Sequence, residues 1–283
     1  MSKKFEKGKM VEFPSTAIIP ERDLDKTPVL ECRHLGIDFG GLRAVDDFNL
    51  TIGRTEIAGL IGPNGAGKTT AFNMITGVYT PTEGSVILQG RSITGMRPDR
   101  IAAAGIARTF QNIRLFKALT VLDNVLIAQH VRLTASWLGA VLRSPRYRKE
   151  EARAYERAKE LLTYMGLWEV RGEISSSLPY GMQRKLEIAR ALASDPRLLI
   201  LDEPAGGMND QETVALVDTI AAIRDRGITV LLIEHDMRLV MQICEHLVVL
   251  ENGTLIAQGT PDHVRNHPAV IEAYLGSDDS ETW

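Results

Sequence analysis

Residues 62–69 read GPNGAGKT and fit the pattern G-x-x-x-x-G-K-[ST]. The segment follows an apolar run, EIAGLI, and precedes a stretch able to form a helix. In that setting the glycines let the backbone turn tightly, so its N–H groups converge on a phosphate. Lys68 carries a mobile positive charge to the β- and γ-phosphates of a nucleotide, and Thr69 offers a hydroxyl to Mg²⁺. The helix N-terminus adds its own partial positive charge. A second segment, LLILDEP at 198–204, supplies carboxylates. An apolar run of this length predicts a buried parallel strand whose end emerges at the carboxyl edge of a sheet. Asp202 is then placed to hold Mg²⁺, often through water, and Glu203 to polarise an attacking water. A third run, TVLLIEHD at 229–236, ends another predicted strand at His235. A lone histidine is more often structural than catalytic, so from the residue alone both readings stand.

These groups need a sheet to hold them. From Val29 onward short apolar runs alternate with turn residues: VLECRHL, FNLTI, EIAGLIG. They predict an N-terminal sheet leading into a central strand. A helix is expected at about Lys68–Thr76, then the strand SVILQG, a helix from Arg97 and the short run IARTF. From about Thr120 to Met165 the pattern turns helical, in VLDNVLIAQHV and EEARAYERAKELLTYMGL. Between them Pro145 and a basic cluster, Arg143, Arg146, Arg148 and Lys149, interrupt the periodicity. Trp137 and Leu138 are the apolar residues here that fit either internal packing or a partner. Strand–helix alternation resumes with LLILDEP, a helix over Asp210–Arg226, TVLLIEH, a helix from Met237, HLVVLENG and TLIAQG. That alternation predicts a largely parallel sheet wrapped by helices, interrupted by a helical subdomain. Residues 1–27 are polar and read as a flexible extension.

The bulk properties narrow the function classes. The chain has 283 residues, 44% apolar and 24% charged, with a net charge of −3. That balance gives no reason to expect nucleic acid or an anionic membrane surface as a partner. Cys32 and Cys244 match no metal-ligand spacing, and a reducing compartment is the simplest reading. No apolar run is long enough to span a bilayer, and the basic start MSKKFEKGK lacks the apolar core of a signal peptide. The expectation is a cytoplasmic chain whose membrane contact comes through a partner.

Taken together, the segments resemble the ATP-binding cassette ATPases of ABC transporters. IGPNGAGKTT is similar to their phosphate loop, LLILDEP to their magnesium strand and catalytic glutamate, IEHD to their switch-histidine segment, RTFQNIRLF to their glutamine loop, and LPYGMQRKLEIARAL to their signature region. The likeness runs from about Leu30 to Gly259. FGGLRAVDDFNLTI, TVLDNVLIAQH, LIEHDMRLVM and the ending IEAYLG further resemble one branch, the ATP-binding subunit of branched-chain (Leu/Ile/Val-type) amino acid importers.

The resemblance implies an α/β fold of the P-loop NTPase, ABC ATPase type. It has a mostly parallel central sheet, an N-terminal antiparallel β part and an inserted α-helical subdomain at about 112–195, with a branch-type insert at about 130–155. It implies that Phe39 stacks on adenine. Gly62, Pro63, Asn64, Gly65, Ala66, Gly67, Lys68, Thr69 and Thr70 cradle the phosphates of ATP. Thr69, Gln111 and Asp202 surround Mg²⁺, Glu203 is the general base, His235 holds the γ-phosphate, and Gly181 reaches the nucleotide of a facing subunit in trans. The implied partners are two membrane permeases, a second ABC ATPase subunit and, indirectly, a periplasmic substrate-binding protein. The implied location is the cytoplasmic face of the inner membrane, held peripherally. Another cargo (urea or short amides, or lipid export), a non-hydrolysing regulatory subunit and a non-transport ABC ATPase are the competing readings. Cargo itself does not follow from these residues.

Two departures from the family pattern stand out. In LPYGMQ, Pro179 takes the place of a serine, Tyr180 that of a glycine and Met182 that of a glutamine, while Gly181 and a following helix, MQRKLEIARAL, are retained. Pro179 brings neither a hydroxyl nor an N–H donor. In AGGMN, Asn209 stands where an aspartate is usual, so no charge-based role is assigned to it.

Overall fold

The computed structural model describes residues 28–129 and 145–275. In chain order the elements are β1 (Leu30–Phe39), β2 (Leu42–Ile52), β3 (Ile57–Ile61), α1 (Lys68–Ile75), β4 (Glu83–Leu88), β5 (Arg91–Ser92), α2 (Pro98–Ala104), β6 (Ile106–Arg108), α3 (Val121–Ala128), α4 (Pro145–Tyr164), α5 (Tyr180–Ala193), β7 (Leu198–Asp202), α6 (Asp210–Asp225), β8 (Thr229–Ile233), α7 (Met237–Ile243), β9 (His246–Glu251), β10 (Thr254–Gly259), α8 (Pro261–Arg265) and α9 (Pro268–Leu275). The expected N-terminal extension and most of the expected insert, with Trp137, Leu138 and Arg143, lie outside the described residues.

The described residues fall into two compact units. The larger, 28–114 with 195–275, contains both sheets. Its six-stranded sheet runs in the order β10-β9-β3-β8-β7-β6. β9, β3, β8, β7 and β6 are parallel, and β10 returns antiparallel to β9. β3 (IAGLI) and β8 (TVLLI) are buried at every position, and β7 (LLILD) at all but its final aspartate. Strands covered on both faces have no solvent side, which is why these segments read as unbroken apolar runs rather than alternations. Each Leu or Ile so buried contributes roughly 1.5–3 kcal/mol. The polar character therefore begins abruptly at the strand ends, where the chemistry sits.

A four-stranded antiparallel sheet, β2-β1-β4-β5, forms the N-terminal β part of this unit. Phe48, Leu50, Leu35 and Leu30 from this sheet, Phe72 and Ile75 from α1, and Leu60, Ile200, Leu231 and Val248 from the parallel strands belong to one apolar cluster. That cluster anchors α1 and hence the loop before it. The fold class expected from the sequence is the one observed.

The smaller unit, 115–129 with 145–194, is helical. Thr120 caps α3 by accepting the Asp123 N–H at 3.0 Å. Asn124, fully buried, donates to the Phe116 and Thr120 carbonyls and accepts from the Phe116 N–H. Pro145, the first described residue after 129, belongs to α4. α5 starts at Tyr180, two residues before the MQRKLEIARAL stretch, with Pro179 in extended conformation as its N-cap (φ −53°, ψ 151°). Among the described residues no helix is long and apolar enough to cross a membrane.

Candidate nucleotide-hydrolysis site

β3 ends at Ile61, and the loop 62–67 turns directly into α1. Gly62, Gly65 and Gly67 all have φ in the left-handed range, at 149°, 79° and 97°. At Gly62 a side chain is excluded twice over, because a Cβ there would lie 2.1 Å from the Leu250 carbonyl oxygen. The Ala66 N–H closes the turn on the Pro63 carbonyl (3.1 Å), and the Gly253 N–H, from the turn between β9 and β10, braces the Ala66 carbonyl (3.0 Å). Lys68 is buried, and its Nζ donates to the carbonyls of Gly62 (2.6 Å) and Pro63 (2.9 Å). The ammonium is thereby held across the loop, while Asn64, Gly65 and Thr69 are exposed. The arrangement is a cationic concavity rimmed by backbone, of a kind that suits a phosphate chain.

β7 carries Asp202 to the carboxyl edge of the sheet, with its N–H donating to the hydroxyl of buried Thr109 (3.3 Å). Arg108, stacked between Phe72 and Phe110 (4.2 Å to each ring centroid), is held below the usual guanidinium range by burial and pulled back up by the field of Asp202. The next residue, Glu203, has φ 43°, a left-handed conformation for a side-chain-bearing residue that also precedes a proline. Such conformations cost about 1–3 kcal/mol and persist where the surroundings enforce them. Here the Glu203 N–H donates to the Ile233 carbonyl (2.9 Å) and the Gly206 N–H to the Glu203 carbonyl (3.2 Å).

The Glu203 carboxylate gathers two of the residues singled out from sequence. Gln111 Nε2 donates to Oε2 (2.9 Å), and His235 Nδ1 lies 3.7 Å from Oε1. The histidine is half exposed and the glutamate mostly covered. Glu234, which the sequence reading passed over, sits beneath them. It is 1% exposed, accepts the Ala205 N–H on Oε1 (3.1 Å) and the His235 N–H on Oε2 (3.2 Å), and also lies 3.7 Å from His235 Nδ1. Burial pushes its carboxyl above the usual range, against the opposing pull of the Ala205, His235 and Asp236 amides and of the His235 ring. Asp236 caps α7 by accepting the Arg238 and Leu239 N–H groups.

Phe39 ends β1, is 43% exposed, and meets Tyr79 edge-on at 5.2 Å between ring centroids. Tyr79 was not anticipated; an aromatic after the helix α1 carries no signal of its own. Gly181 belongs to the helical unit, as the second residue of α5, and is buried there. Tyr180 beside it is exposed, and its hydroxyl accepts from Arg184 (3.3 Å). Asn209 is an N-cap: it forms a reciprocal capping box with Glu212 at the start of α6, a role that needs no charge.

The donor set also bears on a metal. Among the described residues no three His, Cys, Asp or Glu side chains cluster as a protein-only metal cage. Thr69, Asp202 and the Gln111 amide oxygen are hard oxygen donors, few in number, and fit a cation that shares its shell with phosphate and water, as Mg²⁺ does.

Residues 45–206 match the family model for the ABC transporter ATP-binding domain, and residues 254–280 match that for the branched-chain amino acid ATP-binding cassette transporter. The chain belongs to the ABC transporter ATP-binding family. This ATP-binding cassette is 47% identical over 250 residues to the high-affinity branched-chain amino acid transport ATP-binding protein BraF of Pseudomonas aeruginosa, covering 88% of this chain and 98% of BraF. It is 46% identical, with the same coverage, to LivG of Escherichia coli, which bears the same description. The crystal structure of the ADP conformation of MJ1267, an ATP-binding cassette of an ABC transporter, superposes with a TM-score of 0.77 at 31% identity over 88% of this chain and 99% of that one. The cassette is accordingly an ATPase that binds nucleotide.

Proposed function

We propose that this cassette hydrolyses MgATP to power uptake of branched-chain amino acids through membrane permeases, as a peripheral subunit on the cytoplasmic face of the membrane. The observation that carries the chemistry is the convergence on Glu203: a carboxylate on an enforced left-handed backbone, with Gln111 and His235 on its two oxygens. The relatives' names and the match at 254–280 support the cargo.

In this reading the loop 62–70 binds the phosphate chain through its N–H groups, and Lys68 turns its ammonium from the Gly62 and Pro63 carbonyls toward the β- and γ-phosphates. Phe39 and Tyr79 offer the aromatic surface for the base. Thr69, Asp202 and Gln111 would hold Mg²⁺, which when bound neutralises charge on the phosphoryl oxygens. Glu203 orients the attacking water and accepts its proton, and His235 donates toward the γ-phosphate oxygens. Gly181 acts in trans on the nucleotide of a second ATPase subunit, and the 28–283 cassette with its helical part at about 112–195 works with two permeases. Affinity purification of the tagged chain from its native host tests this assembly. Recovery of two permeases and a second cassette is expected; a chain recovered alone at stoichiometric yield contradicts it.

A further inference from the structure

Glu234 has a position that none of the roles above uses. It follows the fully buried strand β8 and precedes His235, so strand geometry sends its side chain inward while the histidine turns out. A buried carboxylate is expensive unless each oxygen is bonded. Here one oxygen takes the amide of Ala205, two residues past Glu203, and the other takes the amide of His235. Pro204, between Glu203 and Ala205, has no N–H to contribute. The Ala205 amide is thus the next donor available after Glu203, and it is spent on Glu234.

We propose that Glu234 is a positioning residue for hydrolysis, a buried clamp that ties the Glu203 loop and the His235 loop into one rigid unit. The inference rests on the reading of Glu203 and His235 as the hydrolytic pair. Glu234 is 1% exposed and acts by holding Glu203 in its left-handed conformation and His235 within 3.7 Å of the Glu203 carboxylate. Misplacement by about 1 Å at a reacting centre costs up to about 100-fold in rate. The clamp therefore bears on turnover and not on nucleotide affinity, since Lys68 is held by the Gly62 and Pro63 carbonyls and the phosphate loop is braced separately by the Gly253 N–H.

The test uses the full-length chain and MgATP, with turnover normalised to nucleotide-binding sites. Glu234→Gln keeps the size but replaces one acceptor by a donor; it should lower kcat at least about tenfold with ATP Kd within about twofold. Glu234→Ala should lower kcat further, toward 100-fold. In a Glu203→Gln background, Glu234→Ala should add less than about twofold, because the residue it positions is already disabled. A variant that merely misfolds loses binding sites rather than rate per site, so a wild-type rate per remaining site overturns the inference. So does full additivity with Glu203→Gln. A Glu203→Gln protein at wild-type turnover overturns the reading of the site and this inference with it, whereas an inactive Glu203→Gln beside fully active Glu234 variants overturns this inference alone.

Discussion

Two helix starts in this chain face the same task in different ways. The loop into α1 is built for an anion, with three left-handed glycines, a buried lysine held across the turn, and a first glycine that leaves no room for a Cβ. The start of α5 has a proline as its N-cap, an exposed tyrosine at its first position and no charged residue in its first turn; Arg184, just beyond it, pairs with Glu187 at 2.8 Å. In the first, every contact that shapes the loop comes from this chain. The second offers the Gly181 amide and a helix dipole, and no hydroxyl at position 179. The contrast teaches that binding strength resides in the loop into α1. In the proposed assembly the start of α5 would tune the reaction only where a second subunit supplies the nucleotide.

Substitutions at Glu203 and at the two helix starts separate their roles. The largest effect is expected from Glu203→Gln, which leaves both helix starts intact: turnover should fall by about 10²–10⁴ while ATP affinity is retained. Steady-state hydrolysis and an ATP titration on one preparation check both halves. Lys68→Ala strikes the first helix start and should weaken ATP binding by about 10–100-fold, the worth of a charge-assisted contact. Wild-type affinity in that variant would remove Lys68 from the site. Gly62→Ala strikes the same loop through the backbone; the forced shift of Leu250 or of the loop should cost about 1–3 kcal/mol, read as a lowered Cm in urea at unchanged m. The smallest effect is expected at the second helix start. Pro179→Ser supplies the missing hydroxyl and should raise hydrolysis of the assembled complex by roughly 2- to 10-fold, with none in ATP affinity of the isolated chain. An unchanged rate would mean that the Gly181 amide and the helix dipole suffice.

Much of the larger unit was legible in the sequence because strands buried on both faces leave an unmistakable signature. IAGLI, LLILD and TVLLI each end where the apolar run ends, and the groups that follow the last two, Glu203 and His235, lie together. What escaped notice was set by direction and not by residue type. Glu234 and His235 are neighbours in the chain, yet one is buried and the other half exposed, and the sequence offers only a polar pair after a strand. The left-handed backbone of Glu203 was equally silent, since nothing in DEP announces a positive φ. Asn209 is a departure from the family pattern explained by capping alone.

If ATP hydrolysis at Glu203 powers branched-chain amino acid uptake, as proposed, uptake of labelled leucine in the native host depends on this residue. Deletion of the gene should abolish high-affinity uptake, the wild-type chain should restore it, and the Glu203→Gln chain should not. Uptake that survives deletion, or that Glu203→Gln restores in full, would exclude this role for Glu203.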